Sequence, residues 1–306
     1  MTNLPPQTRR MSVLIVGFGQ MGHAMQTLLE GKVSLSIWQV TPKNLRLTQA
    51  IRESACHAEI VILCVPTIAI ATALTPLQPY LSKRAVVLSI AKGLDDSGDT
   101  AADILGVRLG MHARWGVLGG PMIANELRAG RCGFAELGSR NPASLALVSR
   151  LFSKTHLHLT PNRSPRAVSW CGVLKNVYVP LIGLSEGLGW GDNLRGQLIC
   201  VALAEMNALV QRFCGIRNAA NGAAGLADLV TTATSRNSHH RALGLHVAHG
   251  SRHIIQGEGT HTLQVLMRRG SQPSSLQFPL LHVAAALVRR PETACARLAA
   301  WVETIG

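Results

Sequence analysis

The stretch SVLIVGFGQMG, residues 12–22, joins a short apolar run to glycines at the spacing G-x-G-x-x-G. The apolar run at 12–17 predicts a buried strand, and residues 20–31 predict the helix that follows it. A glycine-rich turn between a strand and a helix is typical of a dinucleotide-binding site. An ordinary glycine-rich turn is the alternative interpretation.

Each glycine of this turn has a separate physical role in a dinucleotide site. Gly17 permits the tight turn, Gly19 lets the backbone approach a pyrophosphate, and Gly22 allows close packing of helix on strand. The start of the helix, at Gln20 and Met21, would then face the anionic phosphates. These five residues are the first predicted cofactor contacts.

The rest of the N-terminal half alternates apolar runs with helical stretches. Further strands are predicted at 34–38, 59–65, 85–90 and 115–120, with a helix at 67–81, and GFAEL and HLHLT are candidates to extend the sheet at one edge. This alternation predicts an α/β fold with a Rossmann-type, doubly wound parallel sheet. Strand-like runs then give way to helical periodicity, beginning after PNRSPR at 161–166. We expect a flexible tail at 1–10, a dinucleotide-binding domain at 11–165 and an all-helical substrate and catalytic domain at 166–306.

Composition limits the function classes. The chain of 306 residues has 30 Lys and Arg against 16 Asp and Glu, a net charge of +14. The basic residues are dispersed without aromatic interleaving, so we expect no nucleic-acid binding and a field that attracts phosphorylated metabolites instead. The seven cysteines lack metal-ligand spacing and mostly lie in apolar segments, so no metal site is expected and they are interpreted as reduced core residues. The first ten residues contain no apolar core of a signal peptide. The apolar segment around Lys175 contains Lys, Asn, Pro and several glycines, which favour a buried core helix over a membrane span. We therefore expect a cytoplasmic protein without an integral membrane segment.

The end of the second predicted strand bears on the choice of cofactor. Residues 38–42 contain no carboxylate, and Lys43 and Arg46 follow. A carboxylate there would accept from the ribose 2′-hydroxyl, whereas basic residues suit a 2′-phosphate. The pattern favours NADP, or use of either NADP or NAD, although both residues could be solvated helix charges. Pro66, at the end of the third strand, would line the cofactor groove or simply end the strand.

A single charged residue, Lys175, interrupts the apolar segment WCGVLKNVYVPLIGLSEG. Burial would disfavour its ammonium form and lower its pKa, which would suit a proton donor and acceptor. A lysine that extends from a helix face into water is the alternative.

Other polar residues cluster where chemistry would be expected. Lys92 ends the fourth strand, at the edge where such sheets bind ligands. Asp228, Thr232, Arg236 and Asn237 fall within one short segment, in which Arg236 offers a fork suited to phosphate. Each also has an ordinary structural explanation, such as a helix cap or a surface charge.

Together these motifs resemble a known family. AKGL at 91–94, GPMIANE at 120–126, LKNV at 174–177, GLGWGDN at 187–193 and GLADLVTT…SRN at 225–237 are similar, in order, to those of NAD(P)-dependent glycerol-3-phosphate dehydrogenases of the bacterial type. The segment QGEGTHTL at 256–263 resembles the part of that family beside the cofactor. The LKN and GLxDLV…SRN pair is much more specific than the glycine fingerprint.

The resemblance implies an enzyme that reduces dihydroxyacetone phosphate to glycerol 3-phosphate for glycerophospholipid synthesis. Lys175 would be the general acid–base group, Lys92 would contact the reacting end of the substrate, and Asp228 would hold the lysine in place. The implied substrate-binding set is Lys92, Asn176, Thr232, Arg236 and Asn237, of which Arg236 and Asn237 would bind the phosphate. Further implied cofactor contacts are Pro66, Lys92, Ala124, Arg236 and Glu258. The oligomeric state that we consider for this protein is a homodimer.

Two differences from the usual sequence of the resembled family leave alternative functions open. Met122 stands where the family usually has a serine, and the fingerprint GFGQMG is closer to that of the β-hydroxyacid dehydrogenases. The alternatives are a β-hydroxyacid or ketopantoate-type dehydrogenase of the same two-domain plan, or a non-catalytic NADP-binding regulatory protein. Adjacent Lys175 and Asn176 argue against the β-hydroxyacid enzymes, which usually space these residues by about a helical turn.

Overall fold

A computed structural model describes residues 10–41, 46–110, 113–251, 258–268 and 277–305, without the side chains of Glu258 and Gly259. Lys43 and all but the last residue of the predicted tail at 1–10 lie outside the described residues.

The N-terminal half is built on a seven-stranded sheet in the order β2-β1-β3-β4-β5-β6-β7. The strands are β1 Ser12–Val16, β2 Ser34–Trp38, β3 Ile60–Leu63, β4 Val86–Ser89, β5 Trp115–Gly119, β6 Gly133–Gly138 and β7 Leu157–Asn162. The first five lie within the predicted runs, and GFAEL and HLHLT fall in β6 and β7, which extend the sheet at one edge as expected. The predicted α/β fold with a Rossmann-type sheet is therefore confirmed.

One strand pair departs from the parallel arrangement that the sequence predicts. β5 and β6 run antiparallel, whereas the pairs on either side are parallel. Between them lie residues 120–132, which contain only the five-residue helix α5, Ala124–Arg128. A parallel crossover needs a connection that returns along the whole sheet. The short α5 connection stays at the carboxyl edge instead, so β6 starts where β5 ends.

Helices cover both faces of the sheet. They are α1 Gln20–Leu29, α2 Gln49–His57, α3 Ile70–Leu77, α4 Ala101–Leu109 and α6 Pro142–Phe152, with α5 at the carboxyl edge. The predicted helix at 67–81 is divided into a 3₁₀ turn at Thr67–Ala69, α3, and a second 3₁₀ turn at Gln78–Tyr80. Alternate residues of the buried strands enter two separate apolar clusters, as Val13 and Leu14 do. A doubly wound sheet has this two-sided core.

The C-terminal half is helical in its described residues. The sheet ends at Asn162, and α7 begins at Pro165, close to the domain boundary that the sequence predicts. The helices are α7 Pro165–Gly187, α8 Gly191–Cys214, α9 Asp228–Thr234, α10 His239–Ala248, α11 Glu258–Arg268, α12 Pro279–Arg289 and α13 Pro291–Glu303. A short π-helix at Ala223–Ala227 leads directly into α9.

Helix α7 is the centre of this half. It is long and apolar enough to cross a membrane, but its most apolar window is entirely buried inside the fold. A helix that is apolar on all sides is stable in water only when neighbours cover it completely. α7 is therefore a core helix, as its polar and small residues predict.

Two glycines allow α10 to lie directly against α7. A Cβ at Gly244 would collide with the carbonyl oxygen of Pro180, and a Cβ at Gly183 would collide with that of Arg241. Pro180 lies inside α7 and Gly183 one turn later, so both contacts fall on one side of that helix. This close approach places the first turn of α10 beside the functional residues of α7.

A buried carboxylate connects the sheet to the π-helix. Glu136 on β6 accepts from Asn162 Nδ2 at 2.6 Å and from the backbone N–H of Ala224 at 3.0 Å. Gly222 leaves room for this carboxylate, since a Cβ there would collide with its Oε1. The link fixes the start of α9, and with it Asp228, relative to the sheet.

The cysteines are free, as expected, but less buried than expected. Cys171 is buried, three are partly buried, and Cys56, Cys132 and Cys200 are exposed. The interpretation of the set as mainly core residues is wrong for these three. Each lies near the end or on the outer face of a helix or strand. The apolar residues around it in the sequence do not indicate that its side chain is exposed.

Candidate active site

The turn after β1 has the shape of a dinucleotide cradle. Gly17 has φ +90°, and a Cβ there would lie 2.7 Å from Val65 Cγ1. A Cβ at Gly22 would collide with the carbonyl oxygen of Gly17, whereas Gly19 faces open space within 4 Å of its Cβ position. The backbone at Gly19 can therefore be approached closely, at the start of a helix with no acidic residue in its first turn. These features fit a nicotinamide dinucleotide whose pyrophosphate lies over the N-terminus of α1.

The ribose end of the cradle carries no carboxylate among the residues described there. The carbonyl oxygen of Trp38 accepts from Gly17 N–H at 2.9 Å, which closes β2 onto the glycine turn. Arg46 is exposed beyond it. The predicted preference for NADP stays a prediction.

Lys92 extends from the loop after β4 into the space between the two halves. Its ammonium donates to the carbonyl oxygen of Gly120 and to Asp228 Oδ2, both at 2.7 Å. The stem passes over Gly172 on α7, where a Cβ would lie 3.3 Å from Lys92 Cγ. A side chain at position 172 would therefore push the lysine away from Asp228.

Lys175 is buried rather than extended into water. Its side chain is 7% exposed, its ammonium donates to Thr232 Oγ1 at 2.8 Å, and it lies 3.5 Å from Asp228 Oδ1. Thr232 Oγ1 in turn lies 3.3 Å from the same carboxylate oxygen, one turn along α9. The explanation of Lys175 as a solvated lysine is wrong, because Asp228 and Thr232 compensate its buried charge.

Asn176 has one satisfied and one unsatisfied end. Its Nδ2 donates to the carbonyl oxygen of Lys92 at 2.8 Å, while its Oδ1 is buried and has no hydrogen-bond partner among the residues that the structure describes. An unpaired buried amide oxygen is costly. Since Asn176 lines the cavity, this oxygen is suited to accept from a bound molecule.

These residues surround a cavity of about 480 Å³ between the carboxyl edge of the sheet and the helical half. This is the size of a small-molecule site. Its lining consists of Gln20, Met21, Ile90, Lys92, Met122, Ile123, Ala124, Asn125, Lys175, Asn176, Asp228, Thr232, Ser235, Asn237, Ser238, His239 and His240. Lysines 92 and 175 share one carboxylate, so the wall keeps a net positive charge suited to an anionic substrate.

The structure brings most of the predicted site residues together, but not all of them. Pro66 is exposed and is not part of the cavity lining, and Gly17, Gly19 and Gly22 lie in the adjoining turn. Glu258 begins α11, and its side chain is outside the described residues. Met122 forms part of the wall, so a thioether lies where the resembled family usually has a hydroxyl.

Arg236 departs from its predicted place. It is exposed between α9 and α10 and does not line the cavity, whereas its neighbour Asn237 does. The two-residue phosphate clamp that the resemblance implies stays a prediction. α9 ends at Thr234, and residues 235–238 form a turn in which Ser238 N–H donates to the carbonyl oxygen of Ser235 at 3.3 Å. In this turn Arg236 and Asn237 point in different directions.

Two cavity residues, His239 and His240, were not singled out from the sequence. They open α10, whose cap is Ser238, with its hydroxyl accepting from Arg241 N–H at 3.1 Å. Burial, and next the Lys175 ammonium, lower the pKa of His240 to about 3, and His239 and Lys92 act in the same direction. The one sequence signal for these two histidines is their position just after the SRN pattern. Several other histidines occur in this part of the chain, so the residue type alone does not single them out.

Comparison with known proteins places the chain in a family. Residues 20–144 match the N-terminal model, and residues 165–295 the C-terminal model, of NAD-dependent glycerol-3-phosphate dehydrogenase. Glycerol-3-phosphate dehydrogenase [NAD(P)+] of Nitratidesulfovibrio vulgaris is 31% identical over 265 residues, which cover 78% of this chain and 80% of that one. The chain belongs to the NAD-dependent glycerol-3-phosphate dehydrogenase family. The Geobacter metallireducens member is 28% identical over 291 residues, covering 84% of this chain and 87% of its own.

Solved structures show the same fold for this dehydrogenase. The glycerol-3-phosphate dehydrogenase of Coxiella burnetii superposes with a TM-score of 0.81 over 95% of this chain and 98% of that chain, at 23% identity. A ketopantoate reductase from Ralstonia eutropha gives a TM-score of 0.56 at 19% identity, over 94% of this chain and 100% of that chain. At these identities both likenesses concern the fold alone.

Proposed function

We propose that this chain is an NAD(P)-dependent sn-glycerol-3-phosphate dehydrogenase that reduces dihydroxyacetone phosphate to glycerol 3-phosphate, a backbone for glycerophospholipid synthesis. Family membership supports the activity, and the arrangement of Lys175, Asp228 and Thr232 carries the mechanism. A buried ammonium at the wall of a cavity, held by a carboxylate and a hydroxyl, is suited to protonate a substrate oxygen.

Lys175 is proposed as the general acid of the reduction. When bound, the nicotinamide supplies a hydride to C2 of the ketone, and negative charge then develops on the carbonyl oxygen. The Lys175 ammonium gives that oxygen its proton and is reprotonated from solvent afterwards. A cation directed at the developing charge also stabilises the transition state.

Lys92, Asp228 and Thr232 are proposed to hold the reacting end in position. Asp228 binds both ammonium groups, at 2.7 Å for Lys92 and 3.5 Å for Lys175. This shared contact keeps the two lysines together despite their like charge. Thr232 fixes the Lys175 ammonium at 2.8 Å and would contact the substrate hydroxyls.

The cofactor is proposed to lie over the turn at Gly17, Gly19 and Gly22, with Gln20 and Met21 facing it at the cavity. Ala124, which lines the same side, and the unpaired Oδ1 of Asn176 would contact its nicotinamide end or the substrate. The absence of a carboxylate at residues 38–41 supports acceptance of NADP as well as NAD. The contacts of Pro66 and Glu258 with the cofactor, which the resemblance implies, stay predictions.

The decisive experiment follows oxidation of NADH and NADPH by the purified chain with dihydroxyacetone phosphate. We expect turnover with at least one cofactor and its loss in Lys175→Ala, while Lys154→Ala, at an exposed lysine that does not line the cavity, keeps parental activity. No turnover with either cofactor, or turnover with ketopantoate instead, would overturn the proposed activity. Full activity of Lys175→Ala would overturn the role of the lysine alone.

We also propose that the enzyme acts as a soluble cytoplasmic protein. The burial of α7 supports solubility, since the apolar surface of this helix is used inside the fold. The free cysteines are compatible with a reducing compartment. A homodimer is proposed as the assembly, to be measured by sedimentation equilibrium.

A further inference from the structure

A second cavity, of about 260 Å³, lies where α11, α12 and α13 meet. Its wall is formed by one side of α12, by Arg290 and Arg297, and by Met267 near the end of α11. It shares no lining residue with the active-site cavity. The volume is close to the lower end of the range for small-molecule sites, so there is room for an anionic group and a few further atoms.

The α12 side of this cavity is a regular stripe. His282, Ala285, Ala286 and Arg289 line it, and their spacing of three, four and seven residues places them on one face of the helix. The two alanines are small, which leaves the space open between the ends of the stripe. Arg289 is the last residue of α12, so its side chain bounds the cavity at the turn into α13.

The turn between the two helices holds its arginines in defined places. Arg290 alone joins α12 to α13, which begins at Pro291. The N–H of Arg290 donates to the carbonyl oxygen of Ala286 at 2.7 Å, and its carbonyl oxygen accepts from the N–H and the hydroxyl of Thr293, both at 2.9 Å. Arg297 lies on α13, seven residues after Arg290. The backbone from which these side chains extend is therefore ordered before any ligand binds, which lowers the entropic cost of binding.

Three guanidinium groups line this cavity, and no carboxylate is among its described lining residues. Arg289 Nη2 donates to the carbonyl oxygen of Met267 at 3.3 Å. The side chains of Arg290 and Arg297 are exposed, and within the described part of the chain they make no hydrogen bond or ion pair. Each guanidinium carries five N–H donors. Most of the donors around the cavity are therefore available to a bound anion, whose charge would offset the repulsion among the three arginines.

The number of charges favours one class of anion. A carboxylate offers two oxygens and one negative charge, which a single arginine fork satisfies. A phosphate monoester offers three oxygens and a charge close to −2 near neutral pH, so it can accept from more than one guanidinium at a time. Three arginines around one small space match the phosphate monoester better than the carboxylate.

We propose that the cavity at the turn between α12 and α13, lined by Arg289, Arg290 and Arg297, binds a phosphate monoester. The phosphate belongs either to a soluble molecule or to the head group of a lipid. This site is separate from the active-site cavity, and its binding does not depend on the proposed dehydrogenase activity.

The test measures the arginines of the full parental chain one by one. Phenylglyoxal modifies accessible arginines, and mass spectrometry of the digested protein gives the rate at each position. With inorganic phosphate at about ten times its Kd, the rates at Arg290 and Arg297 should fall about tenfold, because only the unoccupied fraction reacts. The rate at Arg150, an exposed arginine on α6 that lines neither cavity, should stay unchanged. Sodium acetate at the same ionic strength should protect none of the three.

Two variants and a matched control establish which side chains bind the phosphate. Arg290→Gln should raise the Kd for inorganic phosphate, measured by protection of Arg297, about tenfold or more, as for a lost charged hydrogen bond. Arg297→Gln should do the same when protection is measured at Arg290. Arg150→Gln removes an equal charge elsewhere on the surface and should leave both values at the parental level. Thermal melts of the three variants verify that each is folded.

Vesicles distinguish the two sources of the phosphate. Phosphatidylcholine vesicles that contain phosphatidate present a phosphate monoester, whereas phosphatidylcholine alone does not. Protection of Arg290 and Arg297 by the phosphatidate vesicles, together with co-sedimentation that both Gln variants lose, would support the site and assign it to a lipid head group. Protection by inorganic phosphate without vesicle binding would support the site and assign it to a soluble phosphate ester.

Three results would overturn the proposal. They are an unchanged rate at Arg290 and Arg297 with both inorganic phosphate and the phosphatidate vesicles, equal protection by acetate, and equal protection of Arg150. Because labelling is measured without turnover, a chain inactive with dihydroxyacetone phosphate that still showed this protection would contradict only the proposed function.

Discussion

The ammonium of Lys92 lies 2.7 Å from Asp228 Oδ2, although 135 residues separate the two in the chain. Asp228 is almost completely buried and its other oxygen faces Lys175 at 3.5 Å. A carboxylate between two ammonium groups offsets their repulsion and sets their direction. Removing it should therefore change both lysines at once.

Asp228→Asn is expected to reduce kcat at least about 100-fold, the usual range for a lost acid–base arrangement. The amide cannot balance two positive charges, so Lys175 and Lys92 would separate. Steady-state kinetics and a thermal melt of the same preparation measure this. Asp192→Asn, a carboxylate with an 83% exposed side chain, is the control that should leave kcat unchanged. A kcat within threefold of the parent in Asp228→Asn would show that the lysines do not depend on this carboxylate.

Gly19→Ala should weaken cofactor binding without unfolding the protein. The space in front of Gly19 is open, so an added methyl group meets no protein atom but occupies the approach of the pyrophosphate. We expect the Kd for NADPH to rise about tenfold, a cost of about 1.4 kcal/mol, in a fluorescence titration. An unchanged Kd would mean that the phosphates lie elsewhere.

Gly244→Ala should separate α10 from α7 and lower the free energy of unfolding by about 2 kcal/mol or more, as overpacking does. The added Cβ would collide with the Pro180 carbonyl oxygen, and backbone rather than a movable side chain must give way. Gly196→Ala on α8 is the matched control, because nothing lies within 4 Å of its Cβ position. There the substitution should stabilise the helix by about 0.5–1 kcal/mol. Urea denaturation compares the two, and equal effects would contradict the packing argument.

Glu205→Ala should be among the most destabilising single changes in the helical half. Its carboxylate accepts from Leu280 N–H at 2.8 Å, Leu281 N–H at 3.0 Å and Tyr178 Oη at 2.8 Å, so it caps α12 and joins that helix to α7 and α8. Three buried donors lose their acceptor, and we expect a cost of about 3 kcal/mol or more in urea denaturation. Glu303→Ala, exposed on α13, should cost less than about 0.5 kcal/mol. A similar small cost at Glu205 would contradict its role as a cap.

The stability of the free enzyme should fall in mild acid because of His240. Its pKa in the folded protein, about 3, is below the ordinary value, so the unfolded chain binds more protons between pH 3 and pH 6.5. Stability is therefore complete above about pH 6.5 and decreases as the pH falls, by up to about 1.4 kcal/mol per pH unit. Urea denaturation at several pH values should show a flatter dependence in His240→Gln than in the parent or in His246→Gln. Identical pH dependence in all three proteins would show that His240 is not buried as a neutral group.

Local patterns were sufficient for much of the fold. Residues 34–38 form a strand with the predicted bounds, and the turn at 17–22 has the tight bend at Gly17 and the close packing at Gly22 that the glycine spacing indicates. The antiparallel β6 was not predicted, because strand direction depends on the path of a connection rather than on the apolar pattern of the strand. The exposure of Arg236 was missed for a similar reason, since side-chain direction in a short non-helical segment depends on how the next helix docks.

The sequence by itself determined the alternation of strands and helices, the dinucleotide turn and the presence of a lysine in an apolar helix, because each depends on neighbours in the chain. Only the tertiary structure decided that Lys175 is held by Thr232 and Asp228, and that His240 rather than Arg236 faces the cavity. These relationships depend on close packing of α10 against α7, where Gly244 and Gly183 leave room for backbone. Distances between residues far apart in the chain are set by such packing, and no local pattern contains them.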